Sequence, residues 1–485
     1  MFHFGSPSSS FTRVDDTLEG PWDVFFSWTR RDAPSDGGAD PRTLVDLLRT
    51  QGLRVWVDDD HLDMFAPITA SVRDGIARSK MLVAWYGPQY PNRRACREEL
   101  TLALLASRTA DGLPRIVGVL PDPTMIGVVE SPLLDTKLAN TNDLPAAARA
   151  IAARVATYTV PFGALTQPAR PRFVGGEGWF DGSQRFVGRL TELWAIHDQL
   201  QPTSDQTGPG RAGRSVALVS GWGGAGKSLL ATEYAHTFAS QYPAGVIWLN
   251  AAGNTATGQQ RDTGSNRAAT DSEWTSVAVR LGVDVNGLNS DEIARGVHTV
   301  LAADARDWLW VVDDLPTGLS AIERDRWLCS EPNVWNLITT RDSDPDTNTV
   351  TVGELDPTAA VSLLVGDSPT PGRVKDAEAI VKALGGHALA VDVTARACER
   401  TGEPLAQVCQ RLTSPDVLAE TERLAGIVAA VGDLRGSHDT AVTATLAHSL
   451  NALPAAAAEL VGLTGLVPPV PVSYTHLTLP TSDLV

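Results

Sequence analysis

The sequence predicts an α/β protein with two parallel sheets, each covered by helices on both faces. Three observations carry this. Short apolar runs alternate with helix-period stretches from Asp23 to Val155, a pattern that lays strands in parallel under helices. A second apolar run, Val216 to Val219, passes through a glycine-rich turn into an apolar-spaced helix beginning near Lys227. A third, Trp308-Leu-Trp-Val-Val, ends in Asp313-Asp314. With 485 residues, 43% hydrophobic and 20% charged, the chain has length for about three domains with real cores. A net charge of −17 argues against coating nucleic acid as the main role.

Residues 1–20 are polar and expected to be loose. Asp23 to Ser27 reads as a strand. Pro41 to Gln51 opens with a helix-starting proline and spaces Leu44, Val45, Leu47 and Leu48 on one face. Leu53 to Val57 is the second strand. The acidic loop Asp58 to Asp63 follows, a poor calcium loop without the sixth-position glycine and closing glutamate. Then come a helix at Ile68 to Arg78, a strand at Met81 to Tyr86, a helix at Ala95 to Ser107, a strand at Ile116 to Leu120 and a helix at Leu144 to Val155. Ligands of such a sheet are expected beyond the carboxyl ends of its strands.

WDVFFSWTRRD, GLRVWVDDDHL, SKMLVAWYGPQY and ACREEL together resemble a TIR domain, so the resemblance implies a flavodoxin-like fold over residues 21–159. The opening matches D-V-F-x-S-[YFW], and Cys96-Arg-Glu-Glu99-Leu100 matches C-x-x-E-L. In NAD-cleaving members this glutamate is the essential carboxylate, which makes Glu99 the expected catalytic residue and NAD+ the expected substrate. One carboxylate suits the chemistry. Breaking the nicotinamide–ribose bond passes through an oxocarbenium-like state, and nicotinamide leaves as a neutral base. Ala95 stands where the family often has Trp, and Met64-Phe65-Ala66-Pro67 lacks the usual glycine of the following loop. Trp85, Tyr86 and Tyr90 are candidates for an aromatic platform. The bland alternatives are that Glu99 is a solvated helix carboxylate, or that the domain is a non-enzymatic TIR adaptor.

Residues 160–184, rich in Pro and Gly without periodicity, read as a linker. The turn Gly221-Trp-Gly223-Gly224-Ala-Gly226-Lys227-Ser228 fits G-x-x-x-x-G-K-[ST] at every fixed position, between a strand and a helix. Its glycines let backbone N–H groups converge on phosphate oxygens, and the helix N-terminus adds positive charge. Lys227 is expected to reach the β/γ-phosphates, and the Ser228 hydroxyl to join a Mg²⁺ shell. Asp313 is expected to hold that Mg²⁺ and Asp314 to orient an attacking water. Residues 251–271 read as a polar insertion.

Around this loop, Arg185-Phe-Val187-Gly188-Arg189, Leu337-Ile-Thr-Thr-Arg341, Leu355 to Leu364 and Leu384-Gly-Gly-His-Ala-Leu389-Ala resemble an NB-ARC module of the STAND ATPases. The resemblance implies ATP/ADP as ligand, an adenine contact by Val187, Gly188 and Arg189, and a γ-phosphate sensor at Arg341. Ala388 stands where the family's adenine-packing proline lies. The implied units are a P-loop NTPase over 185–350, a helical unit over 351–415 and the start of a winged helix over 416–471. Residues 472–485 resemble a translated sequencing-adapter scar and are set aside as non-native.

The combined expectation is a cytoplasmic nucleotide switch of the bacterial antiphage immune type. It would self-associate through both modules and respond to a trigger sensed by a C-terminal region. Four scattered cysteines without C-x-x-C, no signal peptide and no apolar run of ~18 residues fit a cytoplasmic protein with no membrane partner. A non-enzymatic TIR scaffold and a STAND transcriptional regulator are the competing readings.

Overall fold

The computed structural model describes residues 21–32, 39–57, 68–87, 89–109, 115–121, 139–140, 143–163, 165, 172–175, 183, 185–201, 216–251, 263–342, 349–366 and 370–412. The acidic loop at 58–63, the run at 64–67, the winged-helix start at 416–471 and the tail at 472–485 lie outside them.

Two parallel sheets organise the chain. The first holds β1 (Trp22–Ser27), β2 (Val55–Trp56), β3 (Ser79–Trp85), β4 (Ile116–Leu120) and β5 (Ala139–Asn140), in the order β2-β1-β3-β4-β5. Every pairing is parallel, and this is the flavodoxin-like order, reversing between β1 and β3. Side chains alternate between two cores. Phe25, Leu82 and Ala84 face one, and Val24, Phe26, Met81, Val83 and Trp85 face the other. Both faces are apolar because helices cover both. Helices Pro41–Thr50 and Leu144–Val155 pack on the second of these faces. Each has proline in its first turn and an aspartate cap, Asp40 or Asp143.

The second sheet holds β6 (Phe173–Gly175), β7 (Val216–Ser220), β8 (Gly245–Asn250), β9 (Trp308–Leu315), β10 (Val334–Thr340) and β11 (Thr349–Thr351), in the order β11-β7-β10-β9-β8-β6. Here too all pairs are parallel. β9 shows the same alternation, with Leu309 and Val311 on one side and Trp308, Trp310 and Val312 on the other. β10 thus stands between β7, which leads into the glycine turn, and β9, which carries the paired aspartates just before its last residue.

Two expectations are corrected. The stretch read as a linker, 160–184, contributes edge strand β6, which pairs with β8 and buries Val174. Three residues are too few to show periodicity among prolines and glycines. The insertion read over 251–271 becomes the helix Thr263–Arg280 in its later part. Trp274 anchors that helix, its ring 4.9 Å from Trp310 and its Nε1 donating to the Arg326 carbonyl. Tertiary packing there overrides a polar sequence with little amphipathic pattern.

Four short helices, Pro357–Val365, Pro371–Ala383, Ala388–Thr401 and Leu405–Leu412, form a separate core around Ala360, Ile380, Val391 and Val408. No helix among the described residues is long and apolar enough to cross a membrane.

Trp310 is fully buried, and its Nε1 donates to the Trp327 carbonyl at 2.8 Å. Truncation to alanine empties a large volume and orphans that carbonyl. Trp310→Ala is expected to lower unfolding stability by about 3–5 kcal/mol, read from the urea midpoint.

Candidate functional site

Glu99 and the glycine turn each sit where strands of a parallel sheet end. β1 ends at Ser27, and helix Arg94–Thr109 carries Glu99. Ser27 Oγ donates to Glu99 Oε2 at 2.5 Å and lies 2.7 Å from the Tyr90 hydroxyl. Tyr90 comes from the 3-10 turn Tyr90–Asn92 that follows β3. Three segments therefore converge at the β1/β3 reversal. Glu99 is only 5% exposed, so it is not a solvated helix carboxylate.

Sequence reasoning quoted Ser27 only as part of the strand motif, and it missed Asp32. Asp32 Oδ1 accepts the Gln89 N–H at 2.8 Å, fixing the start of the Tyr90 turn. Its Oδ2 is buried without a hydrogen bond. Burial pushes this carboxyl up to about 6, against the lowering effect of the Gln89 and Tyr90 N–H groups. The aromatic-platform expectation is corrected. Trp85, Tyr86 and Tyr90 are all fully buried, Trp85 in the core on one face of the sheet and Tyr86 and Tyr90 in the core on the other. Tyr90 contributes its hydroxyl rather than a ring face.

The glycine turn joins β7 to helix Lys227–Thr237. Gly224 and Gly226 have φ of +73° and +96°, a region open to glycine without strain. Lys227 Nζ donates to the Gly221 and Trp222 carbonyls at 2.8 and 2.9 Å. Thr339 Oγ1 donates to Asp313 Oδ1 at 2.6 Å. Burial raises Asp313 to about 6, opposed by the Thr339 and Ser228 hydroxyls; the Asp314 charge raises it further and Lys227 lowers it. Asp314 has φ +54°, a left-handed conformation costly for a non-glycine residue. The Thr339 hydroxyl accepts its N–H at 2.8 Å, and the β9–β10 register shifts at this point. The bulge sets the two successive aspartates opposite the single residue Thr339.

Arg341 Nε lies 3.6 Å from Asp314 Oδ1, while its Nη1 is buried without a hydrogen bond. An orphaned guanidinium nitrogen beside the Asp314 carboxylate would suit a nucleotide's terminal phosphate. Ser228 and Asp313 are the pair that would hold Mg²⁺, and Lys227 and Arg341 the pair that would hold the phosphates.

The segment before the second unit's first helix lies against this turn. Arg189 has φ +62°, and its guanidinium donates to the Gly353 carbonyl and to that of Ala225. Gly188 packs on Ala359, and Val187 on the helical core. Val187, Gly188 and Arg189 thus bridge the glycine turn and the helical unit. Arg185 adds ion pairs to Asp392 and Glu399 of helix Ala388–Thr401.

The two sites are joined by the helix that carries Glu99. Arg97, 9% exposed, donates to the Phe186 carbonyl at 2.9 Å and lies 5.1 Å over its ring. Glu233, on the helix after the glycine turn, accepts the Ser183 N–H at 2.6 Å. Burial raises Glu233, and the Arg97 and Arg94 charges oppose this. Gln89 Oε1 accepts from Ser362 Oγ at 3.2 Å.

No curated protein matches the chain. Among solved structures, a STAND protein with a tetratricopeptide repeat sensor from Pyrococcus horikoshii is 19% identical at a TM-score of 0.29, over 51% of this chain and 33% of its own. The chain thus spans about a third of that protein's length. Cdc6p of Pyrobaculum aerophilum is 12% identical at a TM-score of 0.32, over 54% and 84%. The TIR domains of the activated Roq1 resistosome are 21% identical at a TM-score of 0.19, over 28% and 84%. The TIR domain family model matches residues 24–150. These residues hold the β2-β1-β3-β4-β5 sheet and Glu99, and they belong to the TIR domain family.

Proposed function

We propose that the chain is a nucleotide-switched receptor of the immune type whose TIR domain cleaves NAD+. The observation that carries the catalytic half is the buried Glu99 carboxylate, held by Ser27 at the β1/β3 reversal. A desolvated, oriented anion stabilises positive charge developing on a ribose ring far better than a solvated one. The nicotinamide–ribose C–N bond breaks, its electron pair leaving with neutral nicotinamide. Water, or a nucleophile within the remaining ADP-ribose, then attacks the ribose carbon and loses a proton. Ser27 fixes one Glu99 oxygen and so the orientation of the carboxylate. Tyr90 and Asp32 hold the turn that completes this arrangement.

The switching half is supported by the turn Gly221–Ser228, Asp313, Asp314 and the unpaired Arg341 nitrogen. ATP or ADP with Mg²⁺ would supply a charge that Lys227, Ser228, Asp313 and Arg341 are arranged to meet. Lys227 would trade its two carbonyls for phosphate oxygens. Arg97 supports coupling, because it binds the backbone immediately before Val187-Gly188-Arg189 and lies two residues from Glu99. Movement of that segment with the nucleotide would move the Glu99 helix. Self-association of released TIR domains would raise their effective concentration.

Three outcomes are expected. Induced clustering of the chain releases nicotinamide from NAD+, and Glu99→Gln lowers that rate by at least about a hundredfold; equal rates in the two proteins would remove Glu99 from the chemistry. Lys227→Ala weakens Mg·ATP and Mg·ADP binding by at least about tenfold in a calorimeter, with the TIR domain still folded by circular dichroism.

The third outcome concerns pH. Asp313 must be ionised to hold a cation, so affinity for the Mg-nucleotide falls as pH drops through about 6, and Asp313→Asn flattens that profile. A carboxyl raised by burial destabilises the nucleotide-free fold above that pH, and the cost fades as pH falls toward its unfolded value. Asp313→Asn is therefore expected to stabilise the nucleotide-free protein at pH 7.5, by up to about 3 kcal/mol.

A further inference from the structure

Every carbonyl oxygen from Gly221 to Gly226 has a partner, and most of those partners lie outside the turn. Lys227 Nζ takes those of Gly221 and Trp222. The Arg189 guanidinium reaches Ala225 at 3.4 Å. The Leu230 N–H takes Gly226 at 2.9 Å, and the Leu389 N–H takes Gly224 at 3.1 Å. The remaining carbonyl, of Gly223, lies 3.1 Å from His387 Nε2.

A carbonyl only accepts, so Nε2 carries the proton. Nδ1 is then the acceptor for the Ala390 N–H at 3.3 Å, which caps helix Ala388–Thr401. One neutral imidazole thus caps a helix of the helical unit and grips the glycine turn. Its ring also lies against Gly224, where a Cβ would stand 2.5 Å from His387 Cε1. Glycine at 224 is required by this ring as well as by its φ.

We propose that His387 is a positioning residue of the nucleotide cradle, a role resting on the nucleotide reading of the Gly221–Ser228 turn. In a trans peptide the carbonyl and the next N–H point in opposite directions. Drawing the Gly223 carbonyl toward His387 therefore turns the Gly224 N–H to the other side. The imidazole fixes the orientation of a phosphate-facing donor before any ligand arrives, so less ordering is left for binding to supply. The same bond ties the cradle to the docking of helix Ala388–Thr401. Nucleotide binding and docking of the helical unit then favour each other by the same factor.

The test uses the full 485-residue chain and two variants. His387→Asn keeps a good helix cap but is too short to reach Gly223; His387→Ala removes both contacts. Amide exchange of Gly223–Gly226 without nucleotide is expected to quicken about three- to tenfold in His387→Asn, while its melting temperature stays near wild type. Unchanged exchange in both variants overturns the proposal. Calorimetry with Mg·ADP and Mg·ATP is expected to show about three- to tenfold weaker binding in both. Variants that bind as tightly as wild type also overturn it. A wild-type chain that binds neither nucleotide sinks the nucleotide reading instead, and amide exchange still decides whether His387 holds the turn.

Discussion

A parallel sheet sends every strand out at the same edge, and the backbone groups leaving that edge must find partners among loops and helix ends. Both sites of this chain are answers to that constraint. In the first sheet the answer is a side-chain chain, Tyr90 to Ser27 to Glu99, closing the gap where the strand order reverses. In the second it is a glycine turn whose carbonyls are held by Lys227, Arg189, Leu389 and His387. Polar order at these edges stands on cores that are apolar on both faces of both sheets.

The two edges are joined through a buried charge. Arg97 is nearly out of solvent, and a guanidinium there is costly unless it is hydrogen-bonded. Its partner is a main-chain carbonyl, that of Phe186, with the ring beneath it. A bond to backbone reads where the chain runs. The Phe186 backbone continues directly into Arg189, which grips the glycine turn at Ala225. On the proposed reading, a shift at the nucleotide reaches the Glu99 helix through one side chain and three residues of main chain.

Much of this was legible in the sequence, for reasons that differ by feature. The strands were visible because parallel strands read as continuous apolar runs such as Met81 to Tyr86 and Trp308 to Val312. The glycine turn was visible because few residue types satisfy its backbone. Glu99 was identified by its motif, but its burial was not, since Arg97-Glu98-Glu99 looks like a solvated helix face. Edge strand β6 was hidden because three residues carry no period. Asp32 and His387 were invisible as site residues because their partners are main-chain atoms, Gln89 N and Gly223 O, at long sequence separations. Composition and spacing hold no record of such pairings.

On the proposed reading, the strained Asp314 next to the last residue of β9 suits the second site to holding a nucleotide more than to rapid turnover. Asp314 takes a left-handed backbone conformation, and the Thr339 hydroxyl that accepts its N–H donates to Asp313. One threonine thus fixes both carboxylates, one through its backbone and one through its side chain. Asp314 also faces Arg341, so its charge is spent partly on a neighbour rather than left wholly free for a water molecule. On the proposed reading, a nucleotide is cleaved there only after Arg341 moves to its terminal phosphate and releases Asp314. That dependence makes cleavage conditional on a conformational step, which is the property a switch requires.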